Sequence, residues 1–464
     1  MKNLAAIILA AGKGTRMKSS LPKVLHSVAG KPMLFYPIEL LKQLKAGRII
    51  AVIGHGADQV KSAFKDEKIT FVNQTEQLGT GHAVMTALKA LGGFTGGVLI
   101  LSGDVPLITK ETITALVKHN DRKGRKKAVM SLVTTILDDP KGYGRIVRDE
   151  HGAVVRIVEE KDCSLLQKKI NEVNAGMYYV SAKFLFENIK KLGKENAQGE
   201  YYLPDLVQLA THQGEHVAAI THVDPNEVMG INNRVELANA NLYMRRRINQ
   251  GHMMDGVTII NPDVTYIDYG VKIGLDSTIY PNVHLLGNVS IGPDCTIEEG
   301  VRIQDSSIGN NSTVKSYSII ESSKVGNDVT IGPVARLRPG NLIKDNVRIG
   351  NFVEVKKSTL GKGTKANHLT YIGDSVIGEN VNIGAGTITC NYDGVNKYQT
   401  TIEDGAFIGS DSQLVAPVKV GKGAYVGSGT TVTKDVPPDS LVITRAPEKV
   451  IEGWAKRRKK KAKK

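Results

Sequence analysis

From residue 256 onward, apolar residues recur at every sixth position of the chain. The recurring positions are Ile267, Ile273, Ile279, Leu285, Ile291, Ile297, Ile303, Val325, Ile331, Leu337, Ile343, Ile349, Val355, Ile402, Ile408, Leu414, Val420, Val426 and Val432. Three hexads per coil would place one apolar side chain on each side of a triangular prism, with coils about 4.8 Å apart. The pattern predicts a parallel β-helix, and it resembles the left-handed form of that fold.

The six-residue period fails at two segments, GKGTKANHLTY (361–371) and TCNYDGVNKYQTT (389–401). A solenoid tolerates an insertion at little entropic cost when the extra residues loop outside the coils. Functional residues are often placed on such loops. We expect both segments to be extruded loops that carry a site, with His368 and Tyr371 in the first.

Residues 1–233 alternate short apolar runs with helix-compatible stretches. IIAVIG (49–54) and VLILSGDVP (98–106) have the composition of strands buried on both faces. PIELLKQLK (37–45) and GHAVMTALKAL (81–91) are typical of helices. This alternation predicts a Rossmann-like α/β domain with a mostly parallel sheet.

The remaining segments are assigned from composition. Residues 234–255 are polar, rich in helix formers and free of proline, so they predict a linker helix before a β-helix domain at 256–455. The tail 456–464 holds eight of the positive charges behind the net +15, and we expect it to be disordered. No aromatic residues alternate with these charges, which argues against nucleic-acid binding.

Apolar stretches and cysteines limit the location of the protein. LAAIILAA (4–11) is far shorter than the roughly 20 residues that span a bilayer, and a glycine loop rather than a cleavage site follows it. Cys163, Cys295 and Cys390 are scattered and lack metal-binding spacing, so disulfides and zinc are not expected. The sequence predicts a cytoplasmic protein without membrane insertion.

LAAGKGTRMKSSLPKVL (9–25) follows the first predicted strand. It lacks the Walker pattern and a complete dinucleotide fingerprint, so its glycines taken alone fit either an ordinary turn or a phosphate-binding loop. Gly12 and Gly14 allow the backbone to approach a ligand and aim N–H groups at phosphate oxygens. Arg16 and Lys23 add positive charge where a pyrophosphate leaving group would accumulate negative charge. Small anionic substrates such as nucleotides also fit the positive charge that remains outside the tail.

Together with QTEQLGTGHAV (74–84), SGDVPL (102–107) and GYGRIV (142–147), this loop resembles the signature of sugar-phosphate nucleotidylyltransferases. The resemblance implies Mg²⁺ ligation by Asp104 and Asn232. It also implies that UTP and the sugar nucleotide contact Leu9, Ala10, Ala11, Gly12, Lys23, Gln74, Gly79, Thr80, Gly144, Glu159, Asn174 and Asn232. In this reaction a sugar phosphate oxygen displaces pyrophosphate, so no general base is required, and Arg16 and Lys23 act by neutralising charge.

The second half carries ARLRPG (335–340), NFVEVKK (351–357), NHLTYIGD (367–374), VNIGAGTITCNYDG (381–394) and IGSDSQLVAP (408–417). With the first set, these motifs resemble, from end to end, a bacterial family of bifunctional N-acetylglucosamine-1-phosphate uridylyltransferases and glucosamine-1-phosphate acetyltransferases. The resemblance implies a homotrimer built through the β-helix, with acetyl sites assembled from neighbouring subunits, and production of UDP-N-acetylglucosamine for peptidoglycan and lipopolysaccharide.

The resemblance also implies the residues of the acetyl site. His368 would be the general base, since a histidine can take the proton of an aminosugar near neutral pH. Residues implied for glucosamine 1-phosphate are Arg338, Lys356, Tyr371 and Asn382. Residues implied for acetyl-CoA are Ala385, Asn391, Tyr392, Ser410, Ser428 and Arg445. We further hypothesise that Glu354 orients the His368 ring.

Two alternatives remain open from the sequence. The β-helix could regulate an enzyme with nucleotidyl transfer as its single activity, or the whole chain could be a non-catalytic scaffold. The intact loop around Arg16 and the presence of Asp104 argue against a scaffold. His368 argues against a single activity.

Overall fold

The computed structural model describes residues 3–119 and 127–461. Backbone contacts divide the chain into two compact units, Met1–Arg245 and Arg246–Lys464. The division falls within a long helix, Arg234–Met254, at the segment predicted as a linker helix.

The first unit contains a mixed, mostly parallel sheet. Its main strands, in spatial order, are Val217–His222, Met130–Ile136, Glu172–Ser181, Gly97–Ser102, Leu4–Ala10, Arg48–Ile53 and Thr70–Asn73. Glu172–Ser181 runs antiparallel to both neighbours, and the other adjacent pairs are parallel. Additional short strands are Arg145–Arg148 and Val154–Val158, which extend this sheet, and Ser27–Val28 and Lys31–Pro32, which form a separate hairpin.

Helices cover both faces of this sheet. They are Phe35–Gln43, Ala57–Ala63, Thr80–Leu91, Lys110–His119, Ala182–Asn188, Asp205–His212 and Pro225–Val228, with 3-10 turns at Thr15–Met17, Lys23–Leu25, Glu160–Asp162, Gln167–Lys169 and Ile189–Lys191. Ile7 and Ile8 point to opposite faces of the same strand, and each lies in a separate apolar cluster. The α/β fold expected from two-faced apolar runs is confirmed.

The second unit is a left-handed β-helix with three ladders of parallel strands, named here the first, second and third faces. The first face comprises Thr258–Ile259, Thr278–Ile279, Thr296–Ile297, Thr313–Val314, Thr330–Ile331, Asn382–Ile383, Phe407–Ile408, Tyr425–Val426 and Leu441–Val442. The second comprises Tyr266–Ile267, His284–Leu286, Arg302–Gln304, Ile319–Glu321, Arg336–Leu337, Ile388–Cys390, Gln413–Val415 and Thr431–Val432. Two longer strands, Arg348–Lys356 and Lys365–Gly373, pass from the first face to the second.

The third face completes the prism. It comprises Lys272–Ile273, Ser290–Ile291, Ser307–Ile308, Lys324–Val325, Leu342–Ile343, Thr359–Leu360, Ser375–Ile377, Thr400–Ile402 and Val418–Val420. The hexad residues point inward and form one continuous apolar cluster, with Ile273 only partly buried at its edge. The six-residue period therefore predicted the β-helix correctly.

The expectation that 361–371 is an extruded loop is wrong. Lys365–Gly373 is a wall strand, paired in register with Arg348–Lys356, and Ala366 and Ile372 are buried in the prism. The period slips because this coil is one residue short: Ile349 pairs with Ala366, seventeen residues further on. A corner that is one residue short interrupts the six-residue spacing just as an insertion would. At this segment, however, no residues loop out of the β-helix.

The second interruption is an outward loop, as expected. Ser375 pairs with Thr400, so this coil carries several additional residues, and residues 392–399 are exposed. Within it, the Asp393 carboxylate accepts from the backbone N–H groups of Val395 and Asn396 at 2.8 and 2.6 Å. This Asx turn folds the loop back on itself. On either side of the turn, the backbones of Tyr392 and Lys397 form an isolated antiparallel β-bridge.

The basic tail, residues 456–464, was expected to be disordered. In the structure its described part belongs to a helix, Trp454–Lys461. Lys, Arg and Ala have high helix propensity, and that preference opposes the repulsion between the charges. Residues 462–464 lie outside the described part of the chain. Within the described ranges, no helix combines the length and the apolar character needed to cross a membrane.

Candidate active sites

A polar cleft of about 550 Å³ opens in the first unit where parallel strands end. Doubly wound sheets commonly bind nucleotides at this edge. The residues implied by the sequence that line it are Leu9, Ala10, Ala11, Gly12, Arg16, Lys23, Gln74, Gly79, Thr80, Asp104 and Asn232. The structure therefore gathers one part of the implied set around a single cavity.

The glycine loop is shaped by its contact with Lys23. Gly14 has a φ of 60°, and a Cβ there would lie 2.7 Å from the Cβ of Lys23. A side chain at position 14 would be strained and would also clash. The next residues form the turn Thr15–Met17, which brings Arg16 to the cleft.

Four polar residues from distant parts of the chain meet in the cleft. The Lys23 ammonium forms an ion pair with Asp104 and donates to Asn232 Oδ1 at 2.8 Å. Arg16 donates to the same oxygen at 2.9 Å. Asp104 and Asn232, the two implied metal ligands, thus direct their oxygens at one point. The Lys23 ammonium group occupies that point.

Among the other residues that line the cleft, Gln74 is buried, and its amide donates to the carbonyl oxygen of Gly79 at 3.1 Å. Thr80 Oγ1 accepts from the Leu203 N–H at 3.0 Å. The sequence missed Gln77, which also lines the cleft and donates to the Ala11 carbonyl at 2.9 Å. Because Gln77 lies within the motif QTEQLGTG, the sequence could have indicated that it lines the cleft.

The implied sugar residues form a neighbouring group that does not line the cleft. The Asn174 N–H donates to the Gly144 carbonyl at 2.9 Å, and a Cβ on Gly144 would lie 3.2 Å from Glu159 Oε1. Burial and then the nearby carboxylates, Asp205 first among them, raise the pKa of Glu159 to about 7. A carboxyl group with this pKa changes charge near neutral pH.

In the second unit, four implied residues occupy equivalent positions in successive coils. Each lies three residues after a paired first-face residue, and together they form the corner column His368, Ala385, Ser410 and Ser428. Backbone hydrogen bonds of 2.7–2.8 Å join neighbouring coils along this corner. Arg445 lies at the end of the column, with Nη2 3.5 Å from the Ser428 carbonyl oxygen.

The remaining implied acetyl-site residues are distributed over different faces. Lys356 Nζ lies 3.7 Å from Asp374, which also accepts from Asn391 at 2.5 Å. Tyr371 follows on the second face, whereas Asn382 pairs with Lys365 on the first. Tyr392 is exposed on the outward loop. The sugar-phosphate ligands implied by the sequence are therefore divided by the corner between these faces.

The hypothesis that Glu354 orients His368 is wrong. Glu354 forms an ion pair with Arg338 at 3.0 Å, and this hydrogen bond is the main reason that the pKa of Arg338 is raised. Along the second face, Glu354 pairs with Tyr371 rather than with His368. The exposed His368 side chain has no carboxylate partner among the described residues.

Sequence reasoning missed Lys397 as a residue of this cluster. The outward loop returns its side chain to Lys356, whose hydrogen bond and positive charge lower the pKa of Lys397. Two ammonium groups this close repel each other unless an anion lies between them. The Asp393–Gly394 turn signal could have predicted the returning loop, although not its target.

Within residues 3–119 and 127–461, no group of three or more His, Cys, Asp or Glu side chains could hold a metal ion. A cation in the first unit would therefore depend on the Asp104 and Asn232 oxygens together with substrate. Carboxylate, amide and phosphate oxygens are the ligands that Mg²⁺ prefers. The donor set fits this ion.

Three family models match the chain. A MobA-like NTP transferase domain matches residues 6–145, a GMPPB C-terminal domain matches residues 254–340, and a bacterial transferase hexapeptide model of six repeats matches residues 399–434. The first contains the glycine loop and Asp104. The other two fall on the β-helix.

Curated relatives match over nearly the whole chain. The bifunctional protein GlmU of Geobacter metallireducens is 54% identical, with 98% of each chain covered. The protein of the same name from Geotalea daltonii is 53% identical over 98% of this chain and 99% of its own. That of Halalkalibacterium halodurans is 49% identical over 96% and 97%.

Proposed function

The chain belongs to the family of bifunctional GlmU proteins, and from this premise we propose that it is an enzyme with two active sites. The second unit transfers acetyl from acetyl-CoA to glucosamine 1-phosphate. The first transfers UMP from UTP to the resulting N-acetylglucosamine 1-phosphate and releases pyrophosphate. The observation that carries the proposal is that one chain contains both the Lys23–Asp104–Asn232 cluster and the His368 corner column.

In the first unit, Arg16 and Lys23 neutralise the charge that develops on the pyrophosphate leaving group. The attacking sugar phosphate is already an anion, so positioning and electrostatics supply most of the catalysis. The glycine loop brings backbone N–H groups to the phosphates, and Gln74, Gly79 and Thr80 bind the base. Gly144, Glu159 and Asn174 bind the sugar.

Asp104 and Asn232 hold Mg²⁺ in this proposal. Their oxygens already converge on one positive charge, the Lys23 ammonium. When bound there, the ion would supply positive charge that stabilises the negative charge of the phosphates. Lys23 must leave the two oxygens for that arrangement, and the incoming phosphates offer its ammonium an alternative anionic partner.

In the second unit, His368 takes a proton from the amine of glucosamine 1-phosphate. The amine nitrogen forms a bond to the thioester carbon, the C–S bond breaks, and the departing sulfur takes up a proton to leave as free thiol. Because Ala385, Ser410 and Ser428 continue the His368 column, the coenzyme lies along this corner with Arg445 at its far end.

Arg338, Lys356 and Lys397 supply positive charge for the sugar phosphate. Tyr371 adjoins this group on the second face, while Asn382 lies on the first. A corner of the prism therefore separates Asn382 from Tyr371 and the positively charged group. A monosaccharide phosphate would have difficulty reaching both sets from one chain, which supports a site shared with a second copy.

The same corner bears a column of exposed apolar residues: Tyr317, Val334, Phe352 and Leu369. All four have positive φ, a conformation that disfavours bulky L-residues. We assign this column to the contact between subunits of a homotrimer. The products feed peptidoglycan and lipopolysaccharide synthesis, and the enzyme is cytoplasmic.

One experiment tests the two activities. Purified full-length protein receives glucosamine 1-phosphate, acetyl-CoA, UTP and Mg²⁺ while free thiol and pyrophosphate are measured. His368→Ala abolishes thiol release but retains pyrophosphate release from supplied N-acetylglucosamine 1-phosphate, and Asp104→Asn does the reverse. Absence of thiol release by the unmodified protein contradicts the acetyltransferase; absence of both products supports a scaffold.

A further inference from the structure

Glu227 is a buried carboxylate that does not line the nucleotide cleft. Its Oε1 accepts from the Thr109 backbone N–H at 3.1 Å, from the Thr109 hydroxyl at 2.8 Å and from the Thr112 hydroxyl. His222 Nε2 lies 3.6 Å from the same oxygen. A buried carboxylate is tolerated only when it is satisfied in this way.

These hydrogen bonds join two segments that end at the implied metal ligands. Asp104 lies five residues before Thr109, and Asn232 lies five residues after Glu227. At the cleft end, the Ile231 N–H donates to the Asp104 carbonyl oxygen at 3.0 Å. The two short segments are therefore cross-linked at both ends.

Space between the segments is limited at the cleft end. A Cβ on Gly230 would lie 3.2 Å from Asp104 Oδ1, so the backbone at Gly230 lies against the Asp104 carboxylate. The Thr109 end adjoins the N-terminus of the helix Lys110–His119, where negative charge is favourable. Glu227 thus fixes the segment of Asn232 to the first turn of the helix that follows Asp104.

We propose that Glu227 is a positioning residue for the cation site and sets the separation of Asp104 and Asn232. The inference rests on the proposed function, because it concerns the residues assigned to Mg²⁺. Glu227 does not touch the substrate in this arrangement. It acts by holding the segment that ends at Asn232, much as the residues behind a metal ligand control its geometry.

The test compares Glu227→Leu and Glu227→Gln in the full-length protein. Binding of Mn²⁺ in the presence of UTP is measured from the electron paramagnetic resonance signal of free Mn²⁺. Glu227→Leu removes the acceptor and weakens Mn²⁺ binding by about tenfold or more. Glu227→Gln retains an acceptor oxygen and restores most of the affinity.

Glu172→Leu is the control for loss of a partly buried, hydrogen-bonded carboxylate in the same unit. Glu172 accepts from Thr134 in the same sheet at 2.6 Å and pairs with Arg148, but it holds neither metal ligand. The Glu172→Leu variant is expected to be less stable than the unmodified protein but to bind Mn²⁺ with the same affinity. Thiol release by the second unit verifies that each variant is active there.

The outcomes separate this inference from the proposed function. Absence of Mn²⁺ binding by the unmodified protein overturns both. Normal binding by the unmodified protein with equal affinity in Glu227→Leu overturns the role of Glu227 alone, as does an equal loss in Glu172→Leu. If Glu227→Leu does not fold, Thr109→Val decides: it removes one donor to the carboxylate and weakens Mn²⁺ binding in the same direction, and unchanged affinity contradicts the inference.

Discussion

Lys23 forms an ion pair with Asp104, and the same ammonium donates to Asn232 at 2.8 Å. A positive side chain therefore occupies the place where two oxygen ligands converge. Any cation that binds these oxygens must displace it. The pair connects the glycine loop directly to the proposed metal ligands, and under the proposed function it implies that phosphate and metal binding are coupled.

Lys23→Met should increase the affinity of the nucleotide-free protein for Mn²⁺ by at least about tenfold. A unit charge 4 Å away contributes about 4 kcal/mol at an effective dielectric constant of 20, which sets an upper limit on the gain. Free Mn²⁺ is measured by electron paramagnetic resonance. Lys13→Met, in a lysine that lines the same cleft, is the control, and an equal gain there contradicts the coupling.

Glu159 should make sugar binding depend on pH. Burial raises its pKa to about 7, so its carboxylate form increases between pH 6 and pH 8. The carboxylate is the better acceptor for sugar hydroxyls, and KM for N-acetylglucosamine 1-phosphate should fall over this range. The substrate phosphate also titrates near pH 6, so Glu159→Gln is measured in parallel. KM is expected to fall more steeply with pH in the unmodified protein than in Glu159→Gln. Identical dependence of KM on pH in the two proteins would exclude a sugar-binding role for Glu159.

The same raised pKa has a consequence for stability. The protonated form of Glu159 is favoured in the folded state, so its contribution is fully present below pH 4.5 and is lost as pH rises through about 7. Glu159→Gln should therefore stabilise the first unit at pH 8, on the order of 2 kcal/mol, because the neutral amide avoids the buried charge. Urea unfolding at pH 5 and pH 8 measures the difference, and a gain that is equal at both values contradicts it.

Lys397→Met should raise KM for glucosamine 1-phosphate by about tenfold, the loss expected for one hydrogen bond to a charged group. KM for acetyl-CoA should change little, because the coenzyme is assigned to the His368 column. Thiol release is measured with each substrate varied in turn. Lys362→Met, an exposed lysine of the same β-helix, serves as the control. A rise in both KM values in Lys397→Met would show a general disturbance of the loop.

Phe352→Asp should dissociate the oligomer. Phe352 is 57% exposed at the corner assigned to subunit contact, and a buried, unpaired charge there is unfavourable. Sedimentation velocity should show smaller particles, with loss of thiol release and retention of pyrophosphate release. Leu275→Asp places the same charge at a residue that is 59% exposed elsewhere in the unit. Dissociation by both variants, or by neither, contradicts the assignment.

Local patterns predicted most of the fold because they reflect local requirements. Each hexad residue such as Ile297 must point into the prism, so its spacing reveals the coil. The apolar run at 49–54 likewise became the strand Arg48–Ile53 because both of its faces are covered. The prediction failed at 361–371 because the preceding corner, between Val355 and Leu360, is one residue short. A shortened corner and an insertion disturb the six-residue period in the same way.

The sequence by itself determined an α/β unit and a β-helix, and it predicted the residues to which their chemistry is assigned. Only the tertiary structure placed Lys23 between Asp104 and Asn232, Lys397 beside Lys356, and Glu227 against Thr109. These contacts join residues that are far apart in the chain. Which polar groups meet depends on where the loops that follow different strands are placed in the folded protein. Periodicity records which side chains are buried, whereas it contains no information about which polar groups meet.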